Sequence, residues 1–443
     1  MRNAIKFILL AAVLALLLCG CSMPTVDELY CLPKRANSDS NLQEVIDEAM
    51  DGLQYYAPIA GTNQQTVQAA DLDGDGKDEY LLFARDSSEK PLKILIFSEV
   101  AVGYVLMDTI EGYGFAFEFV DYADVDDRPG VEIIVGRQVS DQVVRSVSVY
   151  RFTSGFSRQL MTASYSRIIT EDFDGDGRED LFLVGPGQAE DRPATAVLYS
   201  YQDEQFRHSA EVNLSAPAEA LKRVTFSKLA DGTPAVYASF ALDENNLVTD
   251  VFTAKGRQVE IVMSGIKTGT LNNYYVYPED IDSDGTIELP KLLSMPVIDG
   301  GQPQYLIEWQ SLDPSGVFVE KLLTYHNHRA GWYLRLNSQW KTKLTVLQSE
   351  DAFAFCILED DGSMTELFSI LVLTGPDRQE QAKQEGRYLL HSGETEVYAL
   401  ALDKENTQLD VQELISSFRL IRMDWNNEEN REDENEKSSD SGR

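Results

Sequence analysis

A nine-residue acidic loop recurs along this chain, and its spacing limits the fold more tightly than any other feature. Three copies are complete: Asp71-Leu72-Asp73-Gly74-Asp75-Gly76-Lys77-Asp78-Glu79, Asp172-Phe173-Asp174-Gly175-Asp176-Gly177-Arg178-Glu179-Asp180 and Asp280-Ile281-Asp282-Ser283-Asp284-Gly285-Thr286-Ile287-Glu288. Each has Asp at positions 1, 3 and 5, Gly at 6 and an acid at 9, and each runs into an apolar stretch such as Tyr80-Leu81-Leu82-Phe83. Two degenerate copies lie between them. Residues 124–132 keep Asp124, Asp126 and Glu132 at positions 1, 3 and 9 but place Arg128 at 5. Residues 228–236 keep a turn at Asp231-Gly232 and have lost the ligand acids at positions 1, 3, 5 and 9. The five starts, at 71, 124, 172, 228 and 280, are 53, 48, 56 and 52 residues apart. Such a period marks stacked units, because one unit cannot bury its own apolar faces.

Each unit reads as four short strands. In the first they are 66–71, 79–84, 92–97 and 104–109, separated by turn residues such as Asp86-Ser87-Ser88. Four antiparallel strands in about 50 residues make a propeller blade, with the acidic loop between strands one and two.

The loop chemistry points to a hard cation. Calcium takes six to eight oxygens, and carboxylates at every second residue of a tight turn supply them from one side. Asp71, Asp73, Asp75 and Glu79 do this in the first loop, Asp172, Asp174, Asp176 and Asp180 in the second complete loop, and Asp280, Asp282, Asp284 and Glu288 in the third. Position 7 (Lys77, Arg178 and Thr286) offers its backbone carbonyl. Position 12 is Leu82, Leu183 or Lys291 rather than Glu, and β-rich segments flank the loops, so they are not EF-hands. About three structural Ca²⁺ sites are expected. None is expected at 228, and at 124 Arg128 puts a positive charge where a ligand belongs.

The pattern resembles FG-GAP/VCBS repeats, the calcium-loop blades also found in integrin α-subunit propellers, over residues 66–337. The resemblance implies a mainly β, calcium-loop β-propeller with five visible blade repeats and room for further blades. It also implies calcium in the hairpin between a blade's first two strands.

The flanks read differently. Residues 1–20 carry Arg2 and Lys6, then the apolar run Phe7 to Leu18, too short to span a bilayer. Leu18-Cys19-Gly20-Cys21 resembles a bacterial lipobox, which implies cleavage after Gly20 and lipidation of Cys21. Residues 21–65 hold the anchor, a spacer and an amphipathic helix at Leu42, Val45, Ile46, Ala49 and Leu53. Residues 338–425 read as a separate small α+β domain and 426–443 as a disordered acidic tail. Cys31 and Cys356 could form a disulfide outside the cell, but Cys356 lies in an apolar run that reads as a buried strand, which favours two unpaired thiols.

The chain has 38 Lys plus Arg against 73 Asp plus Glu, a net charge of −35. That opposes a nucleic-acid footprint and a polybasic grip on lipid, leaving the anchor as the membrane contact. No Gly-x-Ser-x-Gly, Walker loop, His-Glu-x-x-His or Cys-x-x-Cys occurs, and His326 and His328 lack a visible third ligand. The expectation is a lipid-anchored protein on the extracytoplasmic face of the cell membrane. It would be a non-catalytic binding, adhesion or scaffold module for an unknown protein or glycan. The alternative is a polysaccharide hydrolase or lyase with acidic residues at the propeller mouth.

Chelation is expected to lower the melting temperature, and Asp172→Ala with Asp174→Ala to reproduce part of the loss. An unchanged melting curve in excess chelator would sink the calcium reading.

Overall fold

The computed structural model describes residues 39–139, 145–185, 193–244, 246–265, 270, 276–297, 303–402 and 409–421. The leader, Cys21, Cys31 and the acidic tail lie outside the described residues. The chain is mainly β: the described residues form six antiparallel sheets that follow one another in sequence. They cluster into two units, one running to Ser166 and adding Tyr201–Arg207, the other made of Arg167–Ser200 and the chain from His208 onward.

In the first unit, sheet one contains Val67–Ala70, Glu79–Arg85, Leu92–Val100 and Gly103–Gly112, with Gln54–Tyr55 on the same edge as Val67–Ala70. Sheet two is Ala116–Ala123, Glu132–Gln138, Arg145–Thr153 and Phe156–Tyr165. The two-residue side-chain period splits the apolar middle strands of sheet one between two cores. Leu81, Phe83, Ile94 and Ile96 pack against Phe117, Val120, Ile133 and Val135 of sheet two. Leu82, Ala84, Leu95 and Phe97 point the other way, onto Leu42 and Ile46 of the helix α1 (Asp39–Ala49). Two-sided burial explains why these strands read as continuous apolar runs rather than as alternating ones.

The second unit holds four sheets. Sheet three is Arg167–Glu171, Asp180–Gly185, Thr195–Gln202 and Gln205–His208, its far hairpin falling within Tyr201–Arg207 of the first unit. Sheet four is Leu221–Lys228, Pro234–Ala241, Leu247–Lys255 and Gln258–Met263. Sheet five opens with a single bridge, Glu279 to Glu288, and continues through Leu289–Ser294, Tyr305–Leu312, Phe318–Asn327 and Trp332–Leu336. Neighbouring sheets share cores: Phe182 and Leu198 meet Val236 and Phe252, while Tyr237 and Val251 meet Leu289 and Leu312.

The expected boundary after residue 337 does not divide the core. Residues 344–401 form sheet six, from Leu344–Gln348, Ala352–Leu358, Met364–Thr374, Glu396–Ala401 and Arg387–Ser392. Its Phe353, Phe355, Phe368 and Tyr398 share one core with Tyr325, Trp332 and Leu334 of sheet five. The helix α2 (Arg378–Gln381) is one turn, and α3 (Val411–Ser417) leads into Phe418–Leu420, which pairs with Trp332–Leu336. The segment that reads as a small second domain shares its core with sheet five. Cys356, on sheet six, is a buried free thiol.

One irregularity recurs. A register shift separates strands three and four at Ile96/Phe97, Val149/Tyr150 and Val251/Phe252, and at Trp309/Gln310 in sheet five. A bulge at the same pair increases local twist there.

Trp332 is fully buried between sheets five and six. Trp332→Ala is expected to cost about 3–5 kcal/mol in denaturant unfolding. Truncation after Asn337 should abolish the cooperative transition. A truncated chain that melts with the intact protein would restore the boundary.

Candidate metal centres

Among the described residues, four groups of three acids bring one oxygen each to within 4.8 Å of one another. They are Asp71, Asp73 and Glu79; Asp124, Asp126 and Glu132; Asp172, Asp174 and Asp180; and Asp280, Asp282 and Glu288. Each is a cluster of oxygen ligands that could hold a metal ion. The first, third and ninth loop positions therefore converge in the three complete loops and also in the degenerate loop at Asp124. The position-5 acids Asp75, Asp176 and Asp284 are not in these groups, and the loop at 228 forms none.

The convergence follows from backbone geometry. Position 4 is left-handed in all four loops, at Gly74 (φ 74°), Asp127 (φ 60°), Gly175 (φ 76°) and Ser283 (φ 66°). Short polar residues and glycine tolerate that conformation. The turn aims amide groups back at the first carboxylate: Asp71 accepts from Gly74 N at 2.8 Å and Gly76 N at 3.0 Å, and Asp172 from Gly175 N at 2.7 Å and Gly177 N at 3.0 Å. Asp280 accepts from Asp284 N at 2.9 Å and Gly285 N at 3.0 Å. Asp124 accepts from Asp127 N at 2.9 Å, but position 6 is Pro129, which has no N–H to give. The ninth residue is tied back to the second: Leu72 N donates to Glu79 Oε2 at 3.0 Å, Val125 N to Glu132 Oε2 at 3.1 Å and Ile281 N to Glu288 Oε2 at 3.3 Å.

The ninth acid opens the second strand and is buried. Lost hydration disfavours its charged form. Burial pushes Asp180 up to about 6, and Glu132 and Glu288 up to about 7; Glu79 is raised as well. Neighbouring acids push the same way, Asp73 on Glu79 and Asp282 on Glu288.

Basic side chains answer part of this charge. In the loop at Asp172, Arg257 Nε reaches Asp174 Oδ2 at 2.8 Å and its Nη2 reaches Asp176 Oδ2 at 2.9 Å, while Arg178 also grips Asp176. Arg257 sits on a hairpin turn with positive φ at both Gly256 and Arg257. In the loop at Asp280, Lys321 Nζ lies 2.7 Å from Asp284, and Lys321 with Thr286 holds Asp284 down at about 2. In the loop at Asp124, Arg151 pairs with Asp126 and, at 3.3 Å, with Glu132. Arg128, expected to carry that charge, points instead to Glu204 at 3.0 Å. Sequence reasoning missed Arg151, Arg257 and Lys321 because they come from other strands. The one available signal was Arg151 itself, a charge inside the apolar run Val147 to Phe152.

The turn joining strands three and four of one sheet repeatedly lies beside the acidic loop of the sheet before it. Ser154 and Gly155 line a cavity of about 220 Å³ with Asp73, Asp75 and Glu79. Glu204 meets Arg128, Arg257 meets Asp174, and Ala230 N donates to Leu312 O at 2.9 Å.

Elsewhere, His326 stacks on Tyr333 at 4.9 Å with His328 at 5.5 Å, and burial pushes His326 down to about 3. Asp250 accepts from Ser215 N and Gly265 N, both at 2.7 Å, and Glu308 pairs with Lys291 and Lys341.

No protein-family model matches the chain, and no curated protein does. Solved structures with some likeness include a provisionally assigned 6-phosphogluconolactonase from Bacteroides fragilis NCTC 9343 (8% identity, 72% of this chain, 94% of that one, TM-score 0.26). Another such assignment is from Bacteroides uniformis ATCC 8492 (10%, 67%, 82%, TM-score 0.28). The rhamnogalacturonan lyase YesW matches at 14% identity, over 71% of this chain and 62% of its own, with a TM-score of 0.25. At these scores none of the three bears on function.

A pH prediction follows. Asp180 and Glu288 bind protons more tightly folded than unfolded, where their values return to 3.8 and 4.5. Metal-free stability should therefore fall as pH rises from about 4 to about 7. A divalent cation must displace those protons, so its affinity should rise over the same range. Calorimetric titration at pH 6 in two buffers of different ionisation enthalpy should give different heats, and equal heats would show that no proton leaves.

Proposed function

We propose that the six sheets are blades of a calcium-stabilised propeller of the FG-GAP/VCBS type, and that the chain is anchored through a lipidated Cys21 on the extracytoplasmic face. In that setting it serves as a binding or scaffold module for a protein or glycan. The observation that carries this reading is the recurrence of one loop geometry, with three converging carboxylates, at the same hairpin of sheets one, two, three and five. The recurring bulge and the turn beside the loops at 71, 124, 172 and 228 support it, because they are tertiary repeats that the loop motif alone does not require.

The three acidic loops suit calcium better than a softer or smaller ion. All their ligand atoms are oxygens, several belong to carboxylates, and a turn of small residues is adaptable enough for a high coordination number. Asp71, Asp73, Asp75 and Glu79 would hold the ion in the first loop, with Lys77 giving its carbonyl. Asp172, Asp174, Asp176, Asp180 and Arg178, and Asp280, Asp282, Asp284, Glu288 and Thr286, would do so in the others. The ion's chemical contribution is to neutralise the cluster and fix the hairpin. The chain's own residues then present the surfaces that recognise a partner. Recognition itself rests on what such scaffolds commonly do, which is analogy.

Two measurements test the reading. Radiolabelled palmitate should enter the intact chain and be lost, together with membrane pelleting, in Cys21→Ala. The chain without its leader, applied to glycan and protein arrays, should capture a ligand in millimolar calcium and release it in chelator. Capture that ignores calcium would separate recognition from the loops, and turnover of an arrayed polysaccharide would make the chain an enzyme.

A further inference from the structure

We propose that Arg151 is the built-in cation of the loop at Asp124, and that this loop is a latent fourth metal site which the arginine keeps filled. The proposal rests on the calcium reading of the other three loops. The frame for a cation is intact. Asp124, Asp126 and Glu132 converge as the other triads do, position 4 is left-handed at Asp127, and Val125 N ties Glu132 back at 3.1 Å. Asp126 and Glu132 are 6% and 4% exposed, so two carboxylates sit out of water beside a third. Such a cluster needs a positive charge within contact distance. Arg151, itself 5% exposed, provides it: the guanidinium pairs with both Asp126 and Glu132 and lies over the Tyr201 ring at 5.1 Å.

The strand register shows what Arg151 replaces. Continuing the pairing of Ile133 with Tyr150 by one step sets Glu132 opposite Arg151. The same step from Tyr80 and Phe97 sets Glu79 opposite Ser98. From Leu181 and Tyr199 it sets Asp180 opposite Ser200, and from Leu289 and Gln310 it sets Glu288 opposite Ser311. The three complete loops thus have a serine across from the ninth acid, a small neutral neighbour that leaves room for an ion. The loop at Asp124, whose fifth position is Arg128 and whose sixth is Pro129, has an arginine there. The fully decayed loop has neither acid nor cation, since Val236 faces Phe252. The cross-strand cation occurs at the one loop that keeps three converging acids but has a basic residue at its fifth position.

The test is calcium stoichiometry on the full chain in detergent, by equilibrium dialysis. The wild-type chain should bind three equivalents, one per complete loop. Arg128→Asp with Pro129→Gly and Arg151→Ser rebuilds the repeat and should bind four. Arg151→Ser alone should melt lower than wild type in chelator and recover in calcium. Arg151→Lys, which keeps a cation, should show neither effect. Three equivalents in wild type and three in the rebuilt loop, with no calcium rescue of Arg151→Ser, would overturn the proposal alone. Four in wild type would also overturn it, whereas none in wild type would overturn the calcium reading and this inference together.

Discussion

A carboxylate placed at the first buried position of a strand must be given a positive charge, and the repeat in this chain is organised around that requirement. The ninth loop residue starts the second strand, next to two more acids that the turn folds back onto it. Without a counter-charge the group is driven toward its protonated form, as the raised values of Asp180 and Glu288 indicate. With one, the hairpin between strands one and two becomes a fixed corner. The strand that leaves it is apolar on both faces, and its two faces feed two separate cores. Local electrostatics at the corner and hydrophobic burial along the strand are therefore coupled: misplacing the corner by one residue would turn every side chain of that strand over.

The loops answer the requirement to different degrees from within the protein. Arg151 lies inside its triad, Arg257 grips the third and fifth acids of the loop at Asp172, and Lys321 reaches only the fifth acid of the loop at Asp280. The loop at Asp71 keeps its basic residue, Lys77, on Glu99 at 3.1 Å and away from the triad. This grading gives a physical ordering of the loops' demand for an external cation, greatest at Asp71 and least at Asp124.

Much of this was legible in the residues. The complete loops, the decayed copies between them and the strands that follow each loop lie where the repeat placed them. The helix at Leu42 and Ile46 packs as its spacing implied. The region after residue 337 shows no trace of the repeat in its residues. It carries no acidic loop, because Leu344–Gln348 and Ala352–Leu358 are joined by a short turn, so the periodic marker vanished while the sheet continued. Tyr325, Trp332, Phe353 and Phe355 give no local sign that they share one core. Position 4 was also passed over, since Gly, Asp and Ser look unrelated until their common left-handed backbone is seen.

The sequence by itself determined the repeat, its period, the β character and the residues able to meet around a cation, because these depend on local backbone geometry and on side-chain chemistry within nine residues. Tertiary structure alone decided which residue faces each ninth acid, since strand pairing brings together positions about 20 residues apart. It also decided that sheets five and six share one core. Both are non-local outcomes of burial: the strand position across from the ninth acid is a serine at Glu79, Asp180 and Glu288 and an arginine at Glu132.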